Sequence, residues 1–158
     1  MIGAQTLRST SATWNPRTEK RIVVSRSGDL PWTASFFKET PYVATTESAT
    51  FEPPSPVQLL RAGTDSVDMT SLMRKLRGLG VARLLVLGGS ELNASMLHAG
   101  LVDELFLTIA PKVKLGRDVP TYAGGIALAR DRMLHFDLVE HHVIGNEVFL
   151  RYRREQGT

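Results

Sequence analysis

Cysteine is absent from all 158 residues. That excludes disulfides, thiolate metal sites and cysteine nucleophiles, and it is consistent with a reducing cytoplasm. Long apolar runs are absent too: none approaches the roughly 20 residues of a membrane-spanning helix, and the first residues carry no signal-peptide pattern. No stretch matches GxSxG, HExxH, a P-loop or GxGxxG. Charge of either sign is modest, the net value being +3 at pH 7. The basic residues are scattered except for Arg151, Arg153 and Arg154 around Tyr152, a pattern that reads as a solvated strand face. A nucleic-acid reader would need a basic stripe on a recognisable module. The expectation is therefore a single cytoplasmic domain over 1–158, with neither nucleic acid nor a membrane as partner.

What is present is concentrated in 84–110, LLVLGGSELNASMLHAGLVDELFLTIA. Leu84 to Leu87 is a short apolar run without helical spacing, the pattern of a strand buried on both faces. Gly88 and Gly89 then allow a sharp turn and a close approach by another molecule. Ser90 reads as an N-cap, and Leu92, Met96 and Leu97 form an apolar stripe that Gly100 ends. A second buried strand is expected over Leu105 to Ala110. A strand that delivers two glycines to a helix N-terminus can hold an anion, because the first amides lack intrahelical partners and the dipole favours negative charge. A tight turn with no ligand fits the same residues.

The rest of the chain falls into place around that block. Gly3-Ala4-Gln5-Thr6 is a second candidate anion turn, and Ser9 to Thr18 reads as loop. Arg21 to Ser25 is a short β-branched strand whose C-terminal end carries Ser25 and Arg26, a hydroxyl and a planar cationic fork suited to phosphate. Pro41 to Thr46 is a further strand, and Pro53 to Pro56 is a rigid connector. Asp68 or Thr70 can cap a helix that runs to Leu79, with Met69, Leu72, Met73 and Leu76 on its apolar face. Strands alternating with helices predict a largely parallel sheet in an α/β fold covered on both faces. Met133 to Val143 and Glu147 to Arg153, joined through Gly145, read as an antiparallel hairpin appended to it.

Chemistry-bearing residues are few. His141 and His142 point to opposite faces of a strand, and no carboxylate lies at ligand spacing, so no metal is expected. Asp103-Glu104 reads as capping and solvation. Phosphate-cradling turns without a nucleophile or metal suit a hydride-transfer enzyme, whose cofactor carries the reactive atom.

Taken in order, IGAQT, RIVVSRSG and LLVLGGSELNASMLHAGLVDELFLTIAPKVKLG resemble the dihydrofolate-reductase-like superfamily. The closest likeness is to the C-terminal reductase domain of the bifunctional riboflavin-biosynthesis deaminase-reductase. The resemblance implies a three-layer α/β/α fold and an NADPH-dependent reduction of an aminouracil ribosyl phosphate. Reduction of dihydrofolate or another pterin is the alternative within the class, and a non-catalytic nucleotide-binding relative the alternative outside it. It further implies that Gly3 and Thr6 hold cofactor phosphate and that Ser25 and Arg26 hold the adenosine 2′-phosphate. Gly88, Gly89, Ser90, Glu91 and Leu92 are expected to line the pyrophosphate and nicotinamide. Trp14, Arg17 and Leu87 fall at substrate-contact positions. Leu87 replaces the family's usual glutamate and Thr10 its aspartate, which bears on the substrate. The family's first strand and helix have no counterpart ahead of Met1, and a homodimer is expected to cover the sheet left exposed.

Overall fold

The computed structural model describes residues 1–39, 41–116, 119 and 121–155. Its first half is a parallel sheet of β1 (Ile2–Gly3), β2 (Arg21–Val24), β3 (Pro41–Thr45) and β4 (Gln58–Arg61), hydrogen-bonded in that order. The β-branched runs of β2 and β3 suit a strand buried on both faces, and Ile22, Val23, Val43 and Ala44 are all fully buried. Because neighbouring strand residues point opposite ways, Ile22 and Val23 seed two separate cores. Ile22, Tyr42 and Ala44 pack against α2 (Met69–Gly78) and α3 (Ser90–His98) through Leu72, Leu76, Leu92 and Met96. Val23 and Val43 pack on the other face against Leu7 of α1 (Ala4–Ser9) and against Phe36 and Phe37 of a 3-10 turn at Ser35–Lys38. This half has the expected three layers.

Helix α2 starts as its sequence requires. Asp68 is the N-cap, its Oδ1 accepting the Ser71 amide at 3.0 Å, and Met69, Leu72 and Leu76 form the buried stripe. Helix α3 begins differently. Its N-cap is Gly89 rather than Ser90, and no side chain caps it.

The 84–87 run corrects the expectation of a doubly buried strand. It lies along β1, with the Leu87 amide donating to Met1 O at 2.9 Å and the Gly3 amide to Gly88 O at 2.7 Å, yet it forms no regular strand. Val86 and Leu84 pack against the α2/α3 core, whereas Leu85 and Leu87 remain 63% and 49% exposed. One face of the run is covered and the other is not.

The second half is a separate antiparallel sheet. β5 (Glu104–Ile109), β6 (Phe136–Ile144) and β7 (Glu147–Arg154) pair in the order β5-β7-β6, with the β6–β7 turn at Gly145. The hairpin is present as the alternation predicts. It is not appended to the parallel sheet, however: among the described residues β5 pairs with β7 alone. β5 is not the buried strand its apolar run suggests, since Phe106 is 65% and Ile109 58% exposed. Among the described residues, the cores that α1, α2 and α3 cover include no residue of these strands. One face is instead laced by charge. Glu104 pairs with Arg153 and Phe106 with Arg151 in register, and the Glu104 carboxylate accepts from Arg151 Nη2 at 2.8 Å and Arg153 Nη2 at 3.1 Å. Arg151 also lies over the Phe106 ring, 5.7 Å from its centroid.

Candidate functional site

In a parallel sheet all strands deliver their following loops to one edge, and that edge is where α/β folds place ligands. Here the C-terminal ends of β1, β2 and β3 open onto a single cleft of about 980 Å³. Three short corners build its walls.

The first two corners interlock. Gly3 leads into α1, where Thr6 sits one turn on, and Gly88-Gly89 leads into α3. The Gly88–Gly89 peptide is cis and Gly88 has φ +89°, a backbone form that glycine alone adopts readily. A Cβ on Gly89 would stand 2.8 Å from Thr6 Oγ1, and one on Gly3 would stand 3.4 Å from the Gly89 amide nitrogen. A side chain at Gly89 would thus have to displace Thr6, while Gly3 is in van der Waals contact with the second corner. The first amides of α3 have no side-chain cap, which leaves them available to a ligand from the cleft side.

The third corner follows β2. Ser25 is buried, and its Oγ accepts the Gly28 amide at 3.2 Å, so its hydroxyl shapes the turn. Gly28 has φ +71° and lies under the Phe51 ring, which fills the space a side chain would need. Arg8 of α1 donates to Asp29 O at 2.7 Å and braces the turn from the far side. Arg26 is exposed at its tip and makes no ion pair among the described residues.

Gly3, Thr6, Ser25, Arg26, Gly89, Ser90, Glu91 and Leu92 all line this cleft. Leu92 does so as its buried floor, being part of the α2/α3 core. Gly88 lies directly behind, its carbonyl held by the Gly3 amide. The three residues expected on the substrate side are elsewhere. Trp14 and Leu87 line a second cavity of about 370 Å³ together with Arg21, Phe36 and Leu85. That cavity shares no lining residue with the cleft. Arg17 is exposed and lines neither, its loop being turned by the Thr18 amide bonding to Pro16 O at 3.0 Å.

Sequence reasoning missed the wall formed by Thr46, Ser48, Ala49, Thr50 and Phe51, and the stretch from Asp65 to Val67 opposite. A signal for the first was present: 46–51 directly follows β3, and the rule that ligands gather at the C-terminal ends of parallel strands applies there as it does to Ser25. Also unforeseen is the contact of 122–126 with α3, through Asn93 Nδ2 donating to Tyr122 O at 2.8 Å and the Gly124 amide to Ser90 O at 3.1 Å.

The chemistry of the cleft suits a phosphate-rich dinucleotide. Its size, its two Cβ-free corners, the uncapped amides of α3 and an unpaired guanidinium at the far end are the features such a ligand needs. Among the described residues no cluster of three or more His, Asp or Glu is placed to hold a metal ion. Among the described residues no helix is long and apolar enough to cross a membrane.

Residues 1–150 match the family described as the RibD C-terminal domain. The chain is 38% identical over 120 residues to the 2,5-diamino-6-ribosylamino-4(3H)-pyrimidinone 5′-phosphate reductase of Methanothermobacter thermautotrophicus, across 70% of this chain and 53% of that protein. It is 33% identical over 97 residues to the riboflavin biosynthesis protein RibD of Actinobacillus pleuropneumoniae, across 61% of this chain and 26% of the relative. It therefore spans about half the length of the first and about a quarter of the second. Among solved structures, Acinetobacter baumannii RibD (form 2) superimposes with a TM-score of 0.74 over 98% of this chain and 46% of that one, at 21% identity. Such a likeness speaks for the fold.

Proposed function

The chain belongs to the RibD C-terminal domain family, and on that footing we propose that it is an NADPH-dependent reductase of a pyrimidine bearing a ribosylamino 5′-phosphate. The observation that carries this reading is the meeting of three corners, Gly3–Thr6, Ser25–Ser27 and Gly89–Ser90, along one cleft. When bound, the nicotinamide supplies the hydride, and the protein binds and orients. Gly3, Thr6 and the amides that follow Gly88 and Gly89 hold the pyrophosphate. Ser90, Glu91 and Leu92 continue that wall towards the nicotinamide. Arg26, on a turn shaped by Ser25, takes the adenosine 2′-phosphate by a charge-assisted fork. Trp14, Arg17 and Leu87 lie outside this cofactor cleft, Trp14 and Leu87 together on the second cavity, and their proposed contact is with the substrate.

Two substrates fit the reading. The resemblance in the motifs favours the aminouracil, 5-amino-6-(5-phosphoribosylamino)uracil. The Methanothermobacter relative is named for the diaminopyrimidinone, which differs at the exocyclic group on ring carbon 2. Comparing kcat/KM for the two with NADPH decides between them.

The primary test is titration with NADPH and with NADH, followed by nicotinamide fluorescence. Saturable binding selective for NADPH is expected, with the selectivity lost in Arg26→Ala. Binding of neither nucleotide overturns the reading. The reading extends to a cytoplasmic homodimer, supported by the exposed Phe106, Ile109, Val143 and Ile144 of the antiparallel sheet. A monodisperse monomer by light scattering overturns the dimer.

A further inference from the structure

Behind the wall of the cleft that sequence reasoning missed stands one side chain with an unusual set of partners. Arg61, the last residue of β4, does not line the cleft. Its Nη1 donates to three backbone carbonyls of the 46–49 loop: Ala49 O at 2.8 Å, and Thr46 O and Glu47 O each at 3.2 Å. Among the described residues no carboxylate pairs with it. A guanidinium has donors only and no acceptor, so it orients every oxygen it meets towards itself. Two further ties join this loop to the segment that follows β4: the Glu47 amide to Gly63 O at 2.7 Å, and Ser48 Oγ to Thr64 O at 2.8 Å.

We propose that Arg61 is a positioning residue for the anionic ligand of the cleft, drawing the carbonyls of Thr46, Glu47 and Ala49 away from it and holding Phe51 over the Arg26 turn. Two physical effects follow. Three carbonyl dipoles that would repel phosphate if turned into the cleft are held behind its wall. A positive charge matched only by neutral dipoles also stands close behind that wall, and its field favours an anion in front of it. The loop is coupled to the phosphate clamp as well. It ends at Phe51, whose ring packs on Gly28 two residues from Arg26, so a loosened loop frees the turn that carries the clamp.

This inference rests on the reading of the cleft as a site for NADPH, and the experiment separates the two. Wild type, Arg61→Ala and Arg61→Lys of the full chain are titrated with NADPH and with 2′,5′-ADP, and amide hydrogen exchange over 46–51 is measured without ligand. The expected result is at least a tenfold weaker Kd for both probes in Arg61→Ala, faster exchange at 46–51, and a higher KM for NADPH at an unchanged kcat. Arg61→Lys, which keeps the charge on a shorter side chain that reaches the three carbonyls less well, recovers part of the affinity. An Arg61→Ala chain that binds within twofold of a wild type that binds well sinks the inference alone, as does unchanged exchange at 46–51. If Arg61→Ala does not fold, Arg61→Lys carries the test, and wild-type affinity and exchange there overturn the inference. A wild type that binds neither probe removes the cofactor reading, and the inference falls with it.

Discussion

The two sheets of this protein are built from similar residues and end in different environments. In the parallel half, Ile22, Val23, Val43 and Ala44 lie under helices on both faces, and every described residue buried to core level falls between Ile2 and Met96. In the antiparallel half, Phe106, Ile109, Val148 and Phe149 are likewise β-branched or aromatic, yet none is buried to that degree. Strand formation needs only a period of two and β-branched or aromatic residues, and both halves have them. Burial needs a second layer, which α1, α2 and α3 supply to the first sheet alone. The second is held by its ladder and by the cross-strand pairs of Glu104 with Arg151 and Arg153, each exposed enough that water and salt weaken it.

The contrast can be broken most directly in the core. Leu72 is fully buried, and Leu72→Ala should lower stability by about 2–5 kcal/mol in chemical denaturation; a loss under about 1 kcal/mol would show that the parallel half does not carry the core. The next test sets two glycines against each other. Gly28 and Gly145 both have positive φ, but a side chain at Gly28 meets the Phe51 ring and one at Gly145 meets nothing. Gly145→Ala should cost only the left-handed backbone term, about 1–2 kcal/mol. Gly28→Ala should cost visibly more in a thermal melt and weaken NADPH binding; equal costs would remove the argument that packing separates the halves.

A smaller effect lies in the pH dependence of the second sheet. Hydrogen bonds from Arg151, and after them from Arg153, hold the Glu104 carboxyl below the usual carboxylate range. A folded-state pKa below the unfolded value of about 4.3 means the stabilisation is complete above that value. It is lost as pH falls through the folded pKa. Glu104→Gln should therefore melt lower at neutral pH and show a shallower acid limb, and a limb identical to wild type would dismiss the pair. Within a single copy of the chain Phe106→Ala should be the smallest change, about 0.5 kcal/mol or less, because the ring is mostly exposed there. A loss of core size, together with a lower mass by light scattering, would show that a second copy covers this sheet.

The legible features were local ones. The α2 helix could be read because its cap, Asp68, and its stripe, Met69, Leu72 and Leu76, lie within three turns of each other. β2 and β3 were legible from β-branched runs, and the Gly88-Gly89 corner from the paired glycine. The N-cap of α3 slipped by one residue, since Ser90 has the right chemistry but Gly89 has the extended backbone that starts the helix. The burial of 84–87 and β5 was overestimated because an apolar run does not reveal whether a layer will cover it. The tie of the 46–51 wall to Arg61 was invisible, because a guanidinium that bonds to backbone carbonyls needs no particular partner in the sequence.

By itself, the sequence determined β2, β3, α2, α3 and the C-terminal hairpin, the glycines that make the corners and the family to which they belong. These follow from propensity, period and turn chemistry, each acting over a few residues. Only the tertiary structure decided that the three corners meet in one cleft, that Leu87 faces away from it, and that the strands divide into two sheets. Those outcomes depend on pairing between distant segments. The Met1 amine bonds to Leu85 O across 84 residues, and that alignment beside β1 decides which side of the run meets the core. A shift of one residue there would exchange Leu87 with Val86 between solvent and core.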